Sequence, residues 1–227
     1  MTPLPRALAA EAVGTAGLLA AIVGSGIMAE RLTHDVGLQL LANAVATVAA
    51  LAVLIAVIAP VSGAHFNPAV SLAQAVRRDL PWSHFPGYAV AQVAGGVLGV
   101  ALANLMYELA PLHFSDKPRT GVGQWVGEIV ATAGLVLVVG HVSRGGRGDR
   151  APWLVAAWIL AAYWFTSSTS FANPAVTIAR MFSDTFAGIT PAHVLPFLAA
   201  QVTGVGFGLA GIHLFVLEPR LEPKEQS

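Results

Sequence analysis

Two asparagines, Asn67 and Asn173, each open the tripeptide Asn-Pro-Ala, as Asn67-Pro68-Ala69 and Asn173-Pro174-Ala175, and a valine follows each copy. Asn is a strong helix N-cap, and Pro suits the first helical turn because its missing N–H leaves no bond unmade. Each copy therefore reads as a helix start. A small, polar, irregular stretch leads into it: Ser62-Gly63-Ala64-His65-Phe66 in one case, Ser167-Ser168-Thr169-Ser170-Phe171-Ala172 in the other. The chemistry open to such groups is recognition, not bond making. A helix start gathers unpaired N–H donors and partial positive charge, and an Asn amide adds a donor. A neutral hydroxylated solute loses few hydrogen bonds there, while a proton or cation is repelled. The alternative for each Asn, capping its own helix and nothing more, is disfavoured by the duplication.

Composition decides where these starts lie. Of the 227 residues, 56% are hydrophobic and 11% charged, with a mean hydropathy of +0.69. A soluble domain carries about 25% charged residues, so this chain reads as an integral membrane protein whose surroundings are the lipid bilayer. A formal net charge of zero argues against a nucleic-acid partner. The absence of cysteine excludes disulfides, thiol catalysis and Cys-based metal sites. No nucleophile–base constellation or phosphate-binding glycine loop stands out, so neither enzyme activity nor a cofactor is expected. The N-terminus lacks a distinct small-residue cleavage site and reads as a first spanning helix.

A crossing helix needs about 20 mostly apolar residues, and the candidates are about 6–28, 37–59, 84–107, 121–143, 151–167 and 193–217. Two further apolar segments, Asn67 to Val76 and Asn173 to Phe182, are too short to cross. Irregular backbone at membrane depth must be buried in protein or line a wet cavity. The halves also match elsewhere. Glu11-Ala-Val-Gly-Thr-Ala-Gly-Leu18 corresponds to Glu128-Ile-Val-Ala-Thr-Ala-Gly-Leu135, and Ala91-Gln92-Val93 with Gly95 and Gly99 corresponds to Ala200-Gln201-Val202 with Gly204 and Gly208. Three full crossings per repeat turn the second copy upside down. The expectation is one all-α channel domain over 1–227, built from inverted halves at about 6–110 and 120–217, with the interrupted segments on the substrate path.

Glu11 and Glu128 are ionisable groups inside apolar spans. Their expected work is architectural, accepting hydrogen bonds from the N–H groups of the irregular stretches, in preference to a proton relay. Gln92 and Gln201 are expected to bond the same stretches. Gly95/Gly99 and Gly204/Gly208 suit close helix packing. His65 is expected to hydrogen-bond structurally, and the other six His residues show no metal-ligand spacing. With both termini inside, Arg6, Arg77, Arg78, Arg144, Arg147, Arg150, Arg220 and Lys224 face the cytoplasm and Arg31, Lys117, Arg119 and Arg180 face out. That split obeys the positive-inside rule.

Six spans, two half-spanning helices opening with Asn-Pro-Ala, and a Glu in the first helix of each half together resemble the aquaporin, or major intrinsic protein, family over about residues 6–217. Ser62-Gly-Ala-His-Phe-Asn-Pro-Ala-Val70 is similar to that family's first signature. The resemblance implies that the half-helices meet head to head at the pore centre, and that four copies assemble, each with its own pore.

One position departs from the family pattern. Most members carry Arg directly after the second Asn-Pro-Ala, and that cation joins an aromatic and a His or Gly in a narrow outer filter. Here the residue is Val176. Counting without gaps, the implied ring is Thr47, Ala161, Ser170 and Val176: small, uncharged and without an aromatic. Such a ring is wide enough for solutes larger than water. Arg180 is expected to pair with Asp184 or snorkel outward in preference to reaching the mouth. Asn-Pro-Ala-Val-Thr-Ile-Ala-Arg with Ser183-Asp184-Thr185 is similar to a bacterial branch associated with arsenic resistance. It implies passage of trivalent or methylated arsenicals and related metalloid acids, in a bacterial inner membrane. A general pore for glycerol, urea or water, an ion-coupled transporter and a closed structural pore remain the alternatives.

Overall fold

The computed structural model describes residues 2–144 and 147–215; Arg220 and Lys224, counted with the inner cations, lie outside them. Among the described residues eight α-helices follow one another: α1 Leu4–Leu32, α2 Val36–Ser62, α3 Pro68–Val76, α4 Phe85–Met106, α5 Val122–Val142, α6 Ala151–Phe165, α7 Pro174–Arg180 and α8 Val194–Phe215. Six are long and two short, and the short ones start at Pro68 and Pro174. Their caps are the asparagines: Asn67 Oδ1 accepts from Ala69 N at 2.8 Å, and Asn173 Oδ1 from Ala175 N at 2.9 Å.

Among the described residues five helices, α1, α2, α4, α5 and the stretch ending in α8, are long and apolar enough to cross a membrane. The expected fifth span, 151–167, is shorter: α6 has 15 residues and follows a 3-10 turn at Gly148–Arg150. It stops at Phe165 because Thr166 is extended (ψ 139°) and returns its hydroxyl to Ala162 O at 2.7 Å. The irregular approach to Asn173 thus starts one residue before the polar Ser167 that marked it in the sequence. The second short helix also ends early, at Arg180 and not Phe182.

Helix pairing repeats between the halves: α1 packs on α4 as α5 packs on α8. Glycines permit both contacts. A Cβ on Gly95 would lie 2.1 Å from Ala12 O, and one on Gly99 2.2 Å from Ala16 O. In the second pair, a Cβ on Gly204 would lie 2.7 Å from Ile129 O and one on Gly208 2.7 Å from Ala133 O. The two short helices lie between these pairs, α3 against α4, α5 and α8, and α7 against α1, α4 and α8. The main core runs through both halves, from Leu19, Val23 and Val100 to Leu135, Tyr163 and Phe197. Outward faces are apolar too: Val53, Val57, Val90, Leu98, Leu195 and Phe207 are all exposed. Such a surface suits lipid and not water.

Candidate pore

The irregular approaches to Asn67 and Asn173 have the same backbone, position for position. Gly63, Ala64 and Phe66 have φ of 92°, 50° and 49°; Thr169, Ser170 and Ala172, at the same offsets before the second Asn, have 59°, 50° and 47°. Left-handed backbone costs a non-glycine residue about 1 kcal/mol or more, so five such residues need something to hold them. Two buried carboxylates lie against them. Glu11 Oε1 accepts from His65 N (3.0 Å) and Ser62 Oγ (2.6 Å), and its Oε2 accepts from Phe66 N (2.7 Å) and Gln92 Nε2 (2.8 Å). Glu128 Oε1 accepts from Phe171 N (2.8 Å), and its Oε2 accepts from Ala172 N (2.8 Å) and Gln201 Nε2 (2.6 Å). Both carboxylates and both Gln side chains are fully buried.

Each glutamine also ties the carboxylate to the adjoining short helix. Gln92 Nε2 donates to Ser71 Oγ at 2.9 Å, and Gln201 Nε2 to Thr177 Oγ1 at 2.8 Å. These hydroxyls escaped the sequence reading, although the signal was there: both repeats run Asn-Pro-Ala-Val-hydroxyl, with Ser71 in one and Thr177 in the other. His65 Nδ1 lies 3.0 Å from Ser71 Oγ, and its ring centroid is 5.3 Å from that of Tyr88.

The short helices meet at their starts. Asn67 Nδ2 donates to Ala172 O and Asn173 Nδ2 donates to Phe66 O, both at 2.8 Å. An amide nitrogen has two N–H groups, so each Asn keeps one after bonding across the junction. Both asparagines line a cavity of about 260 Å³. One wall of that cavity is apolar, formed by Leu18 and Ile22 of α1, Leu51 and Ile55 of α2, Leu135 and Val139 of α5, and Val155 and Ile159 of α6. The two irregular stretches line the same cavity through Gly63 to Asn67 and Ser170 to Asn173, and Gln74, Ser143, Tyr163 and Arg180 add further polar groups.

The residues counted into a filter ring are not all brought together. Ser170 and Val176 line the cavity, and so does Arg180. Thr47 is buried at 2% exposure with an unpartnered Oγ1, but the α2 lining is supplied by Leu51, Ile55 and Ala59. Ala161 is exposed on the outer face of α6, and Tyr163 lines the cavity in its place. Two residues along an α-helix turn through about 200°, so an ungapped count wrong by two selects the opposite face. The cavity lining includes the aromatics Phe66, Tyr163 and Phe171, whereas the counted ring of Thr47, Ala161, Ser170 and Val176 holds none.

Arg180 also departs from expectation. It neither pairs with Asp184 nor snorkels outward: it is 2% exposed, its guanidinium carbon lies 3.6 Å from the Phe171 ring centroid, and its Nε donates to Ala187 O. Asp184 Oδ1 instead accepts from Ser115 Oγ (3.2 Å) and Asp116 N (3.1 Å). Arg119, from the loop between α4 and α5, holds its guanidinium carbon 4.9 Å from the same ring centroid. Burial lowers its pKa to about 10, which leaves it charged at neutral pH. Among the described residues no group of three His, Asp or Glu side chains could hold a metal ion.

Apolar helices with lipid-suited faces, two short helices meeting start to start, and a cavity past their caps define a multi-pass membrane channel. This chain belongs to the major intrinsic protein family, whose model matches residues 2–167. It is 50% identical to aquaglyceroporin AqpS of Rhizobium meliloti (strain 1021) over 216 residues, 95% of this chain and 92% of that one. It is 32% identical to the probable aquaporin TIP3-2 of Oryza sativa subsp. japonica over 226 residues, 96% of this chain and 84% of that one. Its fold matches the X-ray structure of the aquaglyceroporin from Plasmodium falciparum with a TM-score of 0.72, at 20% identity and covering 94% and 97% of the two chains. The family match and the 50% identity to an aquaglyceroporin place the chain among the membrane channels of the major intrinsic protein family, and the fold agrees.

Proposed function

We propose that this channel conducts solutes larger than water, in particular trivalent or methylated arsenicals and related metalloid acids, through a constriction at Ser170 and Val176. The observation that carries the reading is Val176 on the cavity wall, 3% exposed, at the position where family resemblance leads one to expect arginine. A valine there leaves room that a guanidinium would fill. Neutral metalloid hydroxides resemble small polyols in size and polarity, so the single remaining N–H on each of Asn67 and Asn173 serves both. Asn67, Pro68, Ala69, Asn173, Pro174 and Ala175 form the central station, and Glu11, Glu128, Gln92, Gln201 and His65 hold the backbone around it. Glu11 already accepts four hydrogen bonds, which leaves it no free site for a coupling ion and speaks against a transporter.

The cellular setting belongs to the same proposal. Among the described residues, Arg6, Arg77, Arg78, Arg144, Arg147 and Arg150 outnumber Arg31, Lys117, Arg119 and Arg180. That supports a bacterial plasma membrane with both termini inside, and an assembly of four copies with one pore each.

Stopped-flow light scattering on proteoliposomes, with water, glycerol, urea and arsenite as solutes, tests this. Arsenite and glycerol flux should be readily measurable, and Val176→Arg should suppress both more than it suppresses water flux. Wild-type water flux far above that of every larger solute identifies an ordinary water channel instead.

A further inference from the structure

The arginine missing at position 176 has a counterpart one helical turn away. Arg180 closes α7 four residues after Val176, about 6 Å along the helix axis. Side chains on a helix lean back toward its N-terminus, so Arg180 reaches back toward the level of Val176. It lies on the cavity wall with Val176 and Phe171. Its Nε is taken by Ala187 O, whereas its two terminal nitrogens have no acceptor among the described residues. Arg180 itself is 2% exposed. These donors belong to a side chain that lines the cavity.

A second guanidinium stands behind it. Arg119 Nε donates to Gly188 O at 2.8 Å, its Nη2 to Phe186 O at 3.1 Å and its Nη1 to Thr169 Oγ1 at 3.4 Å. Both cations address one ring, Phe171, which also meets Phe197 edge-on at a centroid distance of 5.2 Å. Neither has a carboxylate within ion-pair distance among the described residues. Burying a charge without a counter-charge is costly. Cation–π contact and backbone carbonyls offset part of that cost and fix the direction of each group. Their joint field is positive at this end of the cavity.

We propose that Arg180 is the charge-selecting residue of this pore, orienting oxygen-rich solutes through its free N–H groups and repelling cations, while Val176 sets the size of the opening. Phe171 braces it and Arg119 reinforces its field. The inference rests on the reading of Val176 as a constriction residue. It separates two tasks, size and charge, that a single arginine at position 176 would combine.

Potassium and proton leak into proteoliposomes, followed with ion-sensitive dyes under a clamped potential, tests it. Arg180→Gln should raise both leaks by about tenfold or more, and Arg180→Lys, which keeps the charge, should stay within about twofold of wild type. Arg180→Met, which keeps the bulk over Phe171, is the second neutral variant should the first not be recovered folded by size exclusion. Neutral variants as tight as wild type overturn the proposal. So does a lysine variant that leaks like the glutamine one, because packing and not charge would then be responsible. A wild-type channel that passes water but not glycerol sinks the constriction reading and leaves the ion-leak comparison standing.

Discussion

Asn67 and Asn173 are each bonded to the carbonyl that immediately precedes the other: Asn67 Nδ2 to Ala172 O and Asn173 Nδ2 to Phe66 O, both 2.8 Å. Each side chain also caps its own helix through Oδ1. One amide therefore starts a helix, locks the two halves together and retains a donor toward the cavity. Capping a helix and joining the two halves are thus done by one side chain.

Asn67→Ala and Asn173→Ala should each destabilise the protein in detergent by about 1–2 kcal/mol, the combined loss of a cap and a buried partner for a carbonyl. Because both residues serve one junction, the double variant should lose less than the sum of the singles. Thermal unfolding of the four proteins measures this. Strict additivity would mean that the two cross-junction bonds act independently.

Glu11→Gln and Glu128→Gln test the carboxylates. Glutamine offers one acceptor oxygen where Glu11 uses two, and its NH2 would face His65 N or Phe66 N, donor against donor. Each substitution leaves buried N–H groups unpaired and left-handed backbone unsupported, at a cost of about 3 kcal/mol or more. The expected result is poor recovery or a sharply lowered unfolding temperature. A stable, well-assembled Glu11→Gln protein with altered proton leak would instead assign the residue to proton movement.

Much of this site is legible in the sequence because its residues violate their surroundings. Glu11, Gln92, Glu128 and Gln201 are polar side chains in apolar helices, and each recurs at the same place in the second half. Asn-Pro-Ala announces a helix start through local chemistry alone. Three things were not legible, each for a physical reason. The rotation of α6 about its axis is set by packing, so counting back from Asn173 reached exposed Ala161 and missed Tyr163. The direction of Arg180 depends on Phe171 and Ala187, which are brought to it by the fold and not by sequence distance. The partners of the Asn amides lie 105 and 107 positions away, beyond what any local pattern specifies.

Helix contacts supply a graded prediction. A Cβ at Gly95 would fall 2.1 Å from Ala12 O, but at Gly204 only 2.7 Å from Ile129 O. In both cases the obstacle is backbone, which cannot swing aside. Gly95→Ala should therefore cost more than Gly204→Ala, within the range of about 1–3 kcal/mol typical of overpacking. Unfolding temperatures in one detergent rank the two; the reverse order would mean that α1 and α4 separate more readily than α5 and α8.

Ala161 and Tyr163 give the sharpest separation between counting and geometry. Tyr163 is 4% exposed and lines the cavity with Val176 and Arg180, whereas Ala161 is on the exposed side of α6. Tyr163→Ala removes a ring from the wall and should raise glycerol and arsenite flux relative to water, by roughly threefold or more if the ring limits passage. Ala161→Leu adds bulk on an exposed face away from the cavity, and solute ratios should hold. Stopped-flow traces on both variants decide the matter. Should Ala161→Leu throttle the larger solutes while Tyr163→Ala leaves their ratio to water untouched, α6 faces the pore with the side that here faces away from it, and the wall has to be redrawn around Ala161.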